Sequence, residues 1–146
     1  MPIELRDQPF EPLMALAEHQ ARLNERHAGH YGATAIFIGA MRDFNAGDTV
    51  ASMTLEHYPG MTERQLQRIV DAAGQDWPVL DILVIHRVGA LQPQDPIVLI
   101  AVWSAHRAEA FAACRFIIEE LKSKAPFWKR EDTTTGPRWV KHNTPG

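Results

Sequence analysis

Leu13, Leu16, Ala17, Gln20 and Leu23 recur at helical spacing, and Gly29 stands where such a helix would stop. Ahead of it, residues 3–10 mix apolar and charged positions in a short extended pattern ending near Pro9, which predicts a small edge strand. Residues 31–39 read YGATAIFIG, a β-rich run of strand length bounded by glycines. The polar, turn-rich residues 40–48 separate it from a second strand at about 50–58, and the spacing predicts a hairpin with a sizeable connection. Loops of that length carry function more often than short turns do. Pro59-Gly60 breaks the strand, and Thr62 can cap a helix in which Leu66, Ile69, Val70 and Ala73 follow the i, i+3, i+4, i+7 pattern up to Gly74 and Pro78. Two further strands, 79–88 and 96–103, flank a Gly- and Pro-bearing turn at 89–95. A long helix over about 105–124 follows, then Pro126 forces the chain to extend. Short strands near 127–131 and 138–141 finish the chain, with residues 133–137 between them. The order α-β-β-α-β-β-α-β-β predicts one α+β domain over residues 1–146, with three main helices and mostly antiparallel pairing.

Composition narrows the function classes. The 146 residues are long enough to bury a core without staples. A net charge of −3 argues against non-specific binding to nucleic acid or an anionic membrane. Cys114 is the single cysteine, so no intrachain disulfide can form; it shares an apolar stripe with Phe111, Ile117, Ile118 and Leu121 and is expected to be buried and inert. No CxxC or HExxH spacing points to zinc, and no metal or other cofactor is expected. The first residues carry acids early and no long apolar run, so neither a secretory signal nor a membrane span is expected, and the cytoplasm is the predicted compartment. No Ser-His-Asp set or glycine-rich phosphate loop can be assigned.

Against that acidic background the cations concentrate in one stretch. His106 and Arg107 open the long helix, Lys122 and Lys124 close it, and Lys129 and Arg130 follow on the next extended segment. A helix N-terminus disfavours cations by ~0.3–1 kcal/mol each, so the placement of His106 and Arg107 makes sense if an anion binds there. The alternative is a surface Arg paired with a nearby acid and a His in a crowded turn. For the second cluster the alternative is a solvated charge run, but Phe127 and Trp128 beside it suit a planar heterocycle that carries phosphate; aromatic residues also fill cores. Arg42, after the first main strand, is a further phosphate candidate because of its bidentate fork, unless it pairs with Asp43 or Asp48. His106 and Lys122 lie sixteen positions apart, ~24 Å along a straight helix at ~1.5 Å per residue. One small ligand cannot touch both. Either there are two sites, or the helix is broken, or two chains contribute opposite helix ends to a shared pocket, which predicts a homodimer.

Taken together, Gly39-Ala40-Met41-Arg42 with Asn45-x-Gly47, Leu55-Glu56-His57-Tyr58-Pro59-Gly60-Met61, Ile85-His86-Arg87-Val88-Gly89, Ser104-Ala105-His106-Arg107 and Lys122-x-x-x-Pro126-Phe127-Trp128-Lys129-Arg130-Glu131 resemble the MoaE family, the large subunits of molybdopterin synthase. The likeness covers about residues 30–141. It implies an α/β-hammerhead-like fold and a sulfurtransferase activity that converts cyclic pyranopterin monophosphate to molybdopterin, in molybdenum cofactor biosynthesis. The sulfurs would come from the C-terminal Gly-Gly thiocarboxylate of a small ubiquitin-like, MoaD-like sulfur carrier. The resemblance further implies a homodimer of large subunits within a heterotetramer. By motif match, Ala40, Met41, Arg42, His106, Arg107, Lys122, Lys129, Arg130 and Glu131 surround the pterin phosphate, with Lys122 and Lys129 catalytic. Ala40 is a departure, since some family members carry a basic residue there; contacts made by the longer C-terminal tail of some members are not expected from residues 1–146.

Two other functions fit parts of the pattern. A non-catalytic adaptor would dock a ubiquitin-like tail without chemistry, and the presence of both Lys122 and Lys129 favours the enzyme. A single-stranded nucleic-acid binder using Phe127, Trp128 and the lysines needs a wider basic face than a net charge of −3 suggests.

Overall fold

The computed structural model describes residues 1–45 and 47–140. Along them run β1 (Ile3–Arg6), α1 (Pro12–His27), β2 (Ala33–Ala40), β3 (Phe44–Asn45), β4 (Asp48–His57), α2 (Met61–Asp76), β5 (Val79–Arg87), β6 (Gly89–Leu91), β7 (Pro96–Ser104), α3 (Arg107–Lys124), β8 (Phe127–Thr133) and β9 (Gly136–Trp139). They form the α+β domain with three helices that the pattern predicts. None of the described helices is long and apolar enough to cross a membrane.

The strands make two sheets. The first has the order β1-β5-β7-β2, with β1 parallel to β5 and the other pairs antiparallel. Its central strands β5 and β7 are apolar on both faces. Ile82, Val84, Ile100 and Val102 pack with Leu66 and Val70 of α2 and with Ala113, Ile117 and Leu121 of α3. Leu83, Ile85, Leu99, Ala101 and Trp103 point the other way and meet Leu16 and Leu23 of α1. Covering both faces explains why residues 82–85 of β5 and 97–103 of β7 read as continuous apolar runs. Each of the Leu, Ile and Val side chains among them contributes about 1.5–3 kcal/mol on burial. Trp103 is fully buried, and its indole N–H donates to Gln20 Oε1 on α1 at 3.0 Å, so no polar atom is stranded there.

The second sheet has the order β3-β4-β8-β9, with β6 also paired to β4. Met41, Val50, Met53, Leu55 and Leu91 form its own small core. This arrangement corrects the predicted hairpin. β2 does not pair with β4: it runs antiparallel to β7 from Ala33 opposite Ser104 to Ala40 opposite Pro96, whereas β4 pairs with β3, β6 and β8. The chain changes sheets at a register shift between Gly39 and Ala40. Immediately after it, Met41 N–H donates to Asp95 O at 3.0 Å, Gln94 N–H donates to Met41 O at 2.8 Å, and the Met41 side chain enters the second core. Local pattern cannot see this choice, because the partner of β2 lies more than fifty residues away.

Smaller departures have local causes. The predicted strand at 3–10 shortens to β1, and residues 89–91 of the predicted turn add β6 to the second sheet. Thr62 does not cap α2; Gly60, at φ +83°, is the N-cap. Thr62 sits buried in the first turn, where its hydroxyl accepts from Tyr58 N–H at 3.2 Å and donates to Pro126 O at 3.4 Å. That bond ties α2 to the segment that leads into β8. Ala46 of the predicted loop and Lys141 of the predicted last strand lie outside the described residues, and β9 ends at Trp139.

Candidate active site

The helix α3 is continuous over Arg107–Lys124, which removes the broken-helix alternative. Its two ends therefore stay ~24 Å apart between His106 and Lys122. At the N-terminal end His106 is the N-cap, with extended backbone and no side-chain capping bond, and both His106 and Arg107 are exposed. Glu109 in the first turn supplies a negative charge of the chain's own to that end of the dipole.

At the C-terminal end three segments converge. Lys122 comes from the last turn of α3, Lys129 and Glu131 from β8, and Ala40, Met41 and Arg42 from the end of β2. They line two adjoining cavities. The larger, about 360 Å³, is walled by Phe37, Gly39, Ala40, His86, Lys122, Pro126, Phe127, Trp128 and Lys129. The smaller, about 80 Å³, has Ala40, Met41, Arg42, Phe44, Asn45, Lys122, Lys129 and Glu131 around it. Alternation along β8 explains the selection. Lys129 pairs with Leu55 and Glu131 with Met53, both on the inward face of β4, while Arg130 between them points to the opposite, exposed side.

Burial shifts the protonation of two groups here, Lys129 and His86. Lys129 has its pKa lowered from 10.5 to about 8, first by desolvation, then by the nearby Lys122 ammonium and by Arg42; Glu131 pulls in the opposite direction. A lysine so placed is mostly protonated at pH 7, with roughly a tenth neutral, and reaches half neutral near pH 8. His86 is pushed down from 6.5 to about 3, mainly by burial, with Lys122, Lys129 and His57 adding repulsion. Its Nδ1–H donates to the Arg87 carbonyl at 2.7 Å, which fixes the tautomer, and its ring stacks on Phe127 with centroids 4.0 Å apart at 11°. The result is a neutral imidazole in the wall of an electropositive cavity. Glu131 is nearly buried; both its carboxylate oxygens accept from Asn45 Nδ2 at 3.1 Å, and Oε1 also accepts from Arg138 Nε at 3.1 Å. The Arg42 guanidinium lies over the Phe44 ring, 4.9 Å from its centroid.

Of the residues singled out in the sequence, Ala40, Met41, Arg42, Lys122, Lys129 and Glu131 thus come together around one site. His106 and Arg107 stand at the far end of α3, and Arg130 leaves by the other face of β8. Phe127 and Trp128 part company too: Phe127 covers His86, whereas Trp128 also meets Tyr58 edge-on at 4.7 Å on the outer face. Cys114 is buried, with its thiol pushed up to about 11 by desolvation, as its place on the apolar stripe predicts. His86, Asn45 and Arg138 carry no role in the sequence reading. His86 and Asn45 stand inside the quoted motifs, but only the fold brings them to the lysines; Arg138 had no signal at all.

Chemically, the cavity offers two adjacent lysines, Lys129 with its pKa lowered, an arginine fork and one carboxylate held by hydrogen bonds. Such a set can bind a polyanion and move a proton.

The profile of the MoaE protein family matches residues 9–124. The molybdopterin synthase catalytic subunit of Ralstonia nicotianae is 64% identical over 109 residues, which are 75% of this chain and 62% of that relative, so the match spans less than two thirds of the relative's length. The subunit of the same name from Pseudomonas aeruginosa is 48% identical over 96% of this chain and 90% of its own length. Among solved structures, the molybdopterin biosynthesis MoaE protein of Burkholderia ambifaria superposes with a TM-score of 0.79 at 43% identity, covering 99% of this chain and 91% of that one. A chain from the protein–protein complex of subunits 1 and 2 of the Helicobacter pylori molybdopterin-converting factor, at 16% identity and a TM-score of 0.77, shares the fold; it covers 95% of this chain and 90% of that one. Conserved fold and sequence likeness over nearly the whole chain meet here, and the chain belongs to the MoaE family.

Proposed function

We propose that this chain is the catalytic subunit of a molybdopterin synthase, working in molybdenum cofactor biosynthesis. The observation that carries the reading is the convergence of Lys122, Lys129 and Arg42 on one concavity in a chain whose net charge is −3. The substrate is a cyclic pyranopterin monophosphate, and the sulfurs arrive on the thiocarboxylate of a small ubiquitin-like carrier, in the cytoplasm. The lack of a reactive cysteine here agrees with sulfur that arrives on a partner: Cys114 is buried and held as a thiol.

The residues divide the work by their environments. Arg42 holds phosphate through its fork. Lys122 supplies fixed positive charge to the anion that develops as the thiocarboxylate sulfur attacks. Lys129, with its lowered pKa, is the better placed to take and return a proton near neutral pH. His106 and Arg107 serve the same site from a second copy of the chain, because α3 is too long for one protomer to bring both ends together. An apolar groove of about 550 Å³ supports that pairing. It runs between β2, the edge strand of the first sheet, and α3, and is lined by Ile36, Phe37, Phe111, Cys114 and Ile118. Phe111 in it is 67% exposed and Ile36 44%. With one small carrier per large subunit, the assembly is a heterotetramer.

Reconstitution tests the reading directly. Purified chain mixed with thiocarboxylated carrier and pyranopterin is expected to yield molybdopterin, and Lys122→Ala to reduce the yield by at least about 100-fold, the scale of losing one transition-state charge contact. Full activity in that variant would take Lys122 out of the mechanism. Carrier binding without product would instead support an adaptor that only docks the tail.

A further inference from the structure

Glu131 is the only acid among the described residues that line the two cavities. It does not stand free toward a ligand. Asn45 Nδ2 donates to both its oxygens, Arg138 Nε donates to one, and Arg138 Nη2 donates back to the Asn45 backbone carbonyl at 2.7 Å. The three residues close a ring of hydrogen bonds across three strands: Asn45 in β3, Glu131 in β8 and Arg138 in β9. β3 is two residues long and pairs with β4 through Phe44 and Asn45. A strand so short cannot hold its own position. Arg42 precedes Asn45 by three residues, so the ring ties the Arg42 segment to the strand that carries Lys129.

We propose that Asn45 and Arg138 are positioning residues that clamp Glu131 and, through it, fix the spacing between Arg42 and the Lys122–Lys129 pair. The clamp serves the sulfur-transfer site proposed above, and its consequences for rate rest on that reading; its mechanical consequence does not. Charge complementarity explains why a carboxylate is used. One anion set between Arg138 and the cavity cations can face both, and the two bonds from Asn45 hold its plane. A substrate phosphate would then meet Arg42 at a distance already set, which is where misplacement is expensive for the chemical step.

Two measurements on the full chain test the clamp. Val50 N–H donates to Asp43 O at 2.7 Å at the base of the β3–β4 hairpin. Its hydrogen exchange is expected to quicken about tenfold in Asn45→Ala, with β5 and β7 amides unchanged, as local opening requires. Unchanged exchange at Val50 overturns the proposal, whatever the enzyme does. The second measurement uses the assembled complex with thiocarboxylated carrier. Asn45→Ala is expected to lower kcat about tenfold while KM for the carrier stays within about twofold, because geometry rather than docking is disturbed. Exchanging amide and acid supplies the rescue. Asn45→Asp and Glu131→Gln each impair turnover, and the double variant, which restores a donor–acceptor pair with the roles reversed, is expected to recover at least about threefold over the product of the single effects. Simple multiplication of those effects overturns the clamp. Circular dichroism and melting of each variant separate it from misfolding, and Arg138→Lys provides a milder variant that keeps the charge but loses the fork. If the wild-type assembly makes no molybdopterin, the functional reading fails and the exchange measurement still decides the clamp.

Discussion

Lys129 is a cation held where a cation is disfavoured, and that has consequences for both stability and rate. Its pKa in the folded chain, about 8, lies below the ordinary 10.5. Between these values the unfolded chain binds more protons, so folding stability rises with pH through that window, and below pH 8 the full cost of the buried ammonium is present. Lys129→Met is therefore expected to stabilise the protein at pH 7 by about 1–2 kcal/mol, a gain that fades by pH 10.5. Urea unfolding at the two pH values measures it; an equal gain at both would remove the electrostatic explanation. The same variant is expected to lose activity. In the wild type, turnover should climb with pH to a plateau above about 8, and His86 should add no limb near pH 6–7, because its imidazole is held neutral down to about 3.

Elements position these groups by close backbone approach as much as by side chains. Gly32 leads into β2, and its N–H donates to Ser104 O at 3.0 Å. A Cβ on Gly32 would stand 2.6 Å from the Ala105 carbonyl oxygen, one residue before the N-cap of α3. Backbone cannot yield there as a flexible side chain would. Gly32→Ala is expected to cost about 1–3 kcal/mol, the usual penalty of overpacking, read as a lower urea midpoint with unchanged slope. An unaltered midpoint would mean that the β2 entry and the α3 cap move apart freely. α3 itself is the ruler of the molecule: its buried face of Ala110, Ala113, Cys114, Ile117, Ile118 and Leu121 seats it on the first sheet, and its length sets the separation of the two cationic ends.

At the scale of the whole molecule the groove beside β2 is where the proposed second copy would seat. Ile38, 40% exposed on that edge strand, and Phe111 face solvent in the single chain. If a second copy seats there, Phe111→Asp or Ile38→Lys should convert a dimer to a monomer by light scattering while leaving the circular dichroism spectrum intact. Molybdopterin formation should fall with the dimer. A monomeric variant with full activity would refute the composite site and confine catalysis to the Lys122 end of α3.

The elements themselves were legible in the chain because their signals are local. Helical spacing in Leu66, Ile69, Val70 and Ala73, the double-sided apolar runs of β5 and β7, and the break at Pro126 each depend on neighbours a few residues away. Lys122 and Lys129 were legible as part of a run of cations with Lys124 and Arg130, Arg42 as a separate phosphate candidate that only the family resemblance joined to them, and Cys114 as a core position. Tertiary structure alone decided what pairs with what. It sent β2 to β7 instead of β4, because long-range strand pairing follows the whole buried surface rather than the nearest loop. It turned Lys129 and Glu131 inward and Arg130 outward, which follows from the register of β8 on β4. And it gathered His86, Asn45 and Arg138 from three distant segments around the lysines, so that burial and hydrogen bonding could set charges that composition only counts.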